Sequence, residues 1–234
     1  MARKLLGVVA TYAAIALVVI GWGWLLTHPL QGSIEGTDDD VSRWFAGQRT
    51  SWLDPVADAG TLLGETVVGL AVGAVVAIIA GLALRSWWPG ALVLAADAGN
   101  GGIYWLGSHA DPRDRPPVKI LDSGLVPDHS FPSGHVGTAV AVYGGAAILL
   151  ALWLRTRSGP APARGLVVLL ACLPLYVAAS RLYQGAHHLT DVSTSLVYGT
   201  VWLGVLVAAA RATIGGWTPR PASTAPASVR SSST

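Results

Sequence analysis

Six apolar runs set the pattern of this chain, at roughly 5–26, 62–84, 89–107, 136–154, 165–183 and 192–210. At about 1.5 Å of rise per residue, each is long enough as a helix to cross, or nearly cross, a hydrocarbon layer roughly 30 Å thick. The longest outer connection is 27–61. There Asp38, Asp39 and Asp40 precede Val41, Trp44, Phe45, Trp52 and Leu53, apolar positions at near-helical spacing. This predicts an outer interfacial helix that begins at the acidic run, where carboxylates suit a helix N-terminus, and lays its aromatic face on the membrane. From about Thr218 the chain turns rich in Pro, Ala, Ser and Thr. Too little apolar area is available there to fold, so 218–234 is expected to be a disordered cytoplasmic tail. Residues 1–217 are expected to form one all-α domain, a polytopic bundle of six transmembrane helices. The first run is too long, and too poor in a cleavage site, for a signal peptide; it reads as a retained anchor.

Composition agrees with this pattern. Of 234 residues 52% are hydrophobic and only 12% charged, and the mean hydropathy is +0.52, far from soluble averages. Charge then orients the bundle. With the N-terminus inside, the cytoplasmic segments hold Arg3, Lys4, Arg85, Arg155, Arg157, Arg164, Arg211, Arg220 and Arg230. The outer segments hold Arg43, Arg49, Arg113, Arg115, Lys119 and Arg181. Setting aside the three arginines of the clusters described next leaves a bias of nine to three, as the positive-inside rule requires. The formal charge of +2 is therefore topological and gives no reason to expect nucleic acid. Cys172 lies alone inside the fifth run and has no intramolecular disulfide partner. Asp97 and Asn100 interrupt the third run and are expected to make a polar contact between helices.

Three polar clusters carry the chemistry, and all fall on the outer side. The segment from Ser180 to Asp191 supplies Arg181, His187 and Asp191. Asp191 lies four residues after His187, so on a helix both share a face, and the carboxylate can hold the imidazole Nδ1–H and leave Nε2 free to attack. Phe131 to His135 supplies Ser133, Gly134 and His135 where an apolar helix begins, so Ser133 is expected to cap that helix and the free N–H groups to bind phosphate oxygens. Pro112 to Pro116 adds Arg113 and Arg115, guanidinium groups suited to bidentate anion bonds. Together these describe a phosphate site. Zinc ligation by His187, His188 and Asp191 is disfavoured by the single Cys and the lack of a further obvious ligand. His188 points off the face of His187 and is expected to be an interfacial polar residue.

These clusters resemble the signature of the type 2 phosphatidic acid phosphatase superfamily: Lys-x6-Arg-Pro, then Pro-Ser-Gly-His, then Ser-Arg-x5-His-x3-Asp. The second matches at Pro132 to His135 and the third at Ser180, Arg181, His187 and Asp191. The first matches only at Arg115-Pro116, because Ser108 stands where the pattern has Lys; Arg113 is the candidate to replace that cation. The resemblance implies an integral membrane lipid phosphatase. His187 would attack phosphorus to form a phosphohistidine, and His135 would protonate the leaving oxygen and then activate water. Arg115, Arg181, Ser133, Gly134 and Arg113 would bind the phosphate. No metal or other cofactor is implied. The partners implied are a lipid phosphate substrate and membrane lipids, at a plasma membrane with both termini cytoplasmic and the site facing outward. A lipid phosphotransferase using the same intermediate, or a non-catalytic carrier of an anionic lipid, are the alternatives.

Overall fold

A computed structural model of the chain describes residues 2–156 and 161–214. Among these residues the regular structure is helical throughout. In chain order the helices are α1 (Ala2–Thr27), α2 (Gln31–Gly47), α3 (Asp54–Gly64), α4 (Thr66–Leu84) and α5 (Trp88–Ala110). Then come α6 (Gly134–Ala139), α7 (Gly145–Thr156), α8 (Ala161–Tyr183) and α9 (Leu189–Ile214). A π-helical turn, Val140–Gly144, joins α6 to α7, so that 134–155 runs as one span. Five helices are long and apolar enough to cross a membrane: α1, α4, the α6–α7 span, α8 and α9. The third expected run, α5, has 23 residues but falls outside that set, its hydropathy lowered by Asp97, Asn100 and its glycines.

The second apolar run breaks where the sequence pattern shows no break. Glu65 adopts an extended conformation with ψ 139° and ends α3 one residue before α4 begins. α3 thus packs on α8, while α4 packs on α5. Small residues make close approaches possible along α4; a Cβ on Gly69 would sit 2.3 Å from Thr138 Cγ2 of α6.

The 27–61 segment holds two helices, α2 and the start of α3, and the acidic run does not begin either. α2 starts at Gln31, so Asp38 lies inside it and is only 1% exposed. It accepts hydrogen bonds from Thr190 N (3.1 Å) and Thr190 Oγ1 (2.5 Å). The run therefore does serve a helix N-terminus, that of α9, reached through the tertiary fold. The aromatic face divides: Trp44 and Trp52 are exposed, whereas Phe45 packs against the core around Val136, Val142 and Val177. Trp24 and Trp105 near one end, and Trp87 and Trp88 near the other, are exposed, as a belt at two interfaces requires. Cys172 is also exposed on the bundle surface. The 218–234 tail lies outside the described residues.

Candidate active site

Two helix ends and one loop build the site. α8 stops at a left-handed residue, Gly185 (φ 69°). Ala186 N donates to Arg181 O and Gly185 N to Leu182 O, each at 3.0 Å, the paired bonds of a Schellman turn. The turn throws His187 and His188 back across the bundle, and α9 begins at once. There Asp191 accepts from His188 N at 2.8 Å, the carboxylate half of a capping box. The loop 111–133 closes over both ends and delivers Ser133 to the start of α6.

Arg181 is the centre. Its side chain is fully buried, and Nη1 donates to Asp122 Oδ2 (2.8 Å), Thr61 Oγ1 (3.2 Å) and Gln184 Oε1 (3.4 Å). Its Nε and Nη2 have no hydrogen-bond partner among the described residues, and neither does the buried Ser133 Oγ. Buried guanidinium N–H groups left open cost several kcal/mol unless something anionic meets them. The Nε/Nη2 edge is the one that grips two oxygens of a phosphate. Electrostatic contacts from Arg181, Arg115 and His187 all reach His135, which places the second histidine at the same centre. Ser133 stands at the N-cap of α6, but its hydroxyl makes no capping bond; it stays free, against the sequence expectation. Gly134 backs onto the Tyr104 ring, 3.4 Å from where its Cβ would be.

His187 is held otherwise than its spacing suggested. Its Nδ1 meets the Ser130 carbonyl at 2.6 Å, while Asp191 Oδ2 lies 3.7 Å away. A carbonyl acceptor fixes Nδ1 as the protonated nitrogen and leaves the Nε2 lone pair free. Burial pushes His187 down to about 4, the Arg181 charge adding to the effect and Asp191 opposing it. The ring is therefore neutral at physiological pH. His188 is buried too, with Nδ1 3.4 Å from Asp191 Oδ2, so it supports the carboxylate instead of lying at the interface.

Arg113 does not take the place of the missing Lys. Its Nη1 donates to Asp191 Oδ1 (2.5 Å) and Thr190 Oγ1 (2.7 Å), and its Nη2 to Asp38 Oδ2 (2.8 Å). Burial opposes its charge, but Asp191 and Asp38 hold its pKa above the usual arginine value. Two carboxylates occupy it, so it braces Asp191. Asp191 is completed by Ser130 Oγ at 2.6 Å. Arg115 donates to three backbone carbonyls, of Val126 (3.0 Å), Ala186 (2.5 Å) and His129 (3.2 Å). Burial and the nearby Arg181 lower its pKa against the opposing charges of Asp191 and Asp122, and its hydrogen bonds among the described residues all go to carbonyl oxygens, none to a carboxylate. Ser108, at the Lys position, is buried in α5 and bonds to Trp105 O at 3.3 Å.

The sequence motifs thus bring His135, Arg181, His187, Asp191, Ser133 and Arg115 to one end of the bundle. Sequence reasoning missed Ser130, Thr190, Asp38, Asp122, Thr61 and Gln184. Ser130 and Thr190 adjoin the motifs and were open to suspicion; Asp38 and Asp122 carry no local signal. A cavity of about 420 Å³ opens beside the centre, touching Arg113, Arg115 and His188 and rimmed by Glu35, Asp39, Asp114 and Asp128.

Fold and site together define a polytopic membrane protein with a buried centre of two histidines and a guanidinium whose Nε and Nη2 are unpartnered among the described residues. The sequence profile of the PAP2 superfamily matches residues 85–214, more than half of the chain, and the chain belongs to that superfamily. Its fold is similar to that in the crystal structure of the first transmembrane PAP2 type phosphatidylglycerolphosphate phosphatase from Bacillus subtilis. That match has a TM-score of 0.68 and 22% identity, and covers 89% of this chain and 96% of that one. No curated protein matches the chain. Membership makes this a multi-pass membrane lipid phosphatase.

Proposed function

We infer that this phosphatase removes a terminal phosphate from a membrane lipid through a phosphohistidine on His187. One observation carries the reading: the open Nε/Nη2 edge of the buried Arg181 shares its centre with His135 and with the neutral His187. Arg181, Ser133 Oγ, the Gly134 N–H and the Arg115 charge would hold the phosphate oxygens. Nε2 of His187 attacks phosphorus, and the bond to the lipid oxygen breaks as His135 gives that oxygen a proton. Water, deprotonated by His135, then attacks phosphorus, forming an O–P bond as the N–P bond breaks. Phosphate leaves and His187 regains its lone pair. Asp191 stabilises the ring's positive charge from 3.7 Å, and Arg113 keeps that carboxylate ionised and in place. The scheme needs no metal.

We place this centre on the outer membrane face, with both termini cytoplasmic, on the nine-to-three charge bias. Phosphatidylglycerophosphate is the first substrate to try because the structural relative is named for it; phosphatidate and polyprenyl mono- and diphosphates complete the panel. Phosphate release by the purified protein in excess EDTA is the test. Turnover of at least one of these lipids with EDTA present is expected. Complete loss restored only by Mg²⁺ would contradict the mechanism.

A further inference from the structure

Asp122 belongs to no motif, yet among the described residues it is the one carboxylate bonded to the Arg181 guanidinium. Its Oδ2 lies 2.8 Å from Arg181 Nη1, with the Arg181 side chain fully buried and that of Asp122 23% exposed. The loop brings it there by specific contacts. Leu121 N donates to Gln184 O at 3.0 Å, and Val118 presses on Gly185, 2.7 Å from where a Cβ would stand. The stretch 118–122 is therefore seated on the turn that ends α8, one residue from its last bond to that turn.

Thr61 and Gln184 also reach Nη1, but both are neutral and their bonds are longer, at 3.2 and 3.4 Å. Each is held in turn. Thr61 shares a 2.8 Å hydrogen bond with Ser180, and Gln184 Nε2 donates to Asp58 Oδ1 at 2.8 Å. All three acceptors gather on one corner of the guanidinium. That corner is saturated, and the opposite edge, Nε with Nη2, has no partner among the described residues. A planar guanidinium fixed at one corner cannot turn its open edge away, so the orientation is set before substrate arrives.

We propose that Asp122 is a positioning residue: its carboxylate anchors Arg181 Nη1 and so presents the Nε/Nη2 edge to the lipid phosphate. The proposal rests on the phosphatase reading above. It also opposes the simplest electrostatic expectation, in which a carboxylate beside the anion-binding arginine competes with the anion and weakens its binding.

The two accounts predict opposite signs for anion affinity. The full-length protein in nanodiscs is assayed for kcat and KM on a short-chain phosphatidate, for the Ki of inorganic phosphate, and for phosphate-induced thermal protection. Positioning predicts that Asp122→Ala raises Ki and KM together by about tenfold while kcat falls by less. Asp122→Asn keeps an oxygen acceptor at the same place and should stay within about threefold of wild type in Ki. Should Asp122→Ala fail to fold, Asp122→Glu reads the same geometry, its extra methylene displacing the fork and raising Ki several-fold. A Ki that Asp122→Asn lowers by more than about threefold, or that neither Asp122→Ala nor Asp122→Glu changes, overturns the proposal. Phosphate protection of the wild type, and its loss in Arg181→Ala, separates this outcome from failure of the phosphatase reading. Without that protection the anion site itself is wrong, whatever Asp122 does.

Discussion

His187 has two polar neighbours with different duties. The Ser130 carbonyl at 2.6 Å fixes the tautomer, and the Asp191 carboxylate at 3.7 Å supplies field. The sequence could show the four-residue spacing of His187 and Asp191, but not that a backbone oxygen 57 positions away would take Nδ1. Spacing on an ideal helix also assumed that both residues were helical, whereas His187 lies ahead of α9. The depressed pKa has a consequence whose sign can be worked out. In the unfolded chain this histidine titrates near its ordinary value of about 6.5, and in the fold near 4. Between those values the unfolded chain binds the extra proton, so stability is lost as pH falls through that window and is fully present above it. The limit is on the order of 3 kcal/mol for a shift of this size. Melting temperature measured from pH 7 down to pH 4 should fall, and His187→Gln should flatten that part of the profile. A wild-type profile with no slope there would remove the buried, neutral histidine on which the chemistry depends.

Helices were legible where lipid alone decides them. α1, α4, α8 and α9 follow apolar runs read directly, because in hydrocarbon every backbone group must be paired within the segment. The division between α3 and α4 was not legible, since Glu65 is one polar residue in a continuous apolar stretch and its extended backbone depends on α3 turning to pack on α8. Asp38 was misread for the same kind of reason. Its partner Thr190 lies 152 residues away, and nothing local distinguishes it from the exposed Asp40. The turn after α8 can be tested on its own. Gly185 combines φ 69° with a 2.7 Å approach to Val118, so Gly185→Ala meets both backbone strain and a clash. A loss of about 1–3 kcal/mol is expected, together with lower phosphatase activity as the 118–122 stretch lifts from Arg181. A stable variant with full activity would show that the loop is not seated by this turn.

Across the whole molecule, the motif residues come from 115 to 191, yet they meet at one end of the bundle, where α1 and α8 end and α6 and α9 begin. Our proposal, from the charge bias, is that this end faces outward. In a Cys172→Ser background, a cysteine at Asp128, on the rim of the cavity, should react with an impermeant maleimide in intact cells. Labelling only after lysis would reverse the orientation. The central claim is the covalent step, and phosphoenzyme trapping tests it most directly. Purified protein is mixed with lipid carrying ³²P in its terminal phosphate and quenched in alkali. Wild type should carry acid-labile, base-stable label, His135→Ala should retain it longer because water attack has lost its base, and His187→Ala should carry none. Label of that kind on His187→Ala would contradict the account.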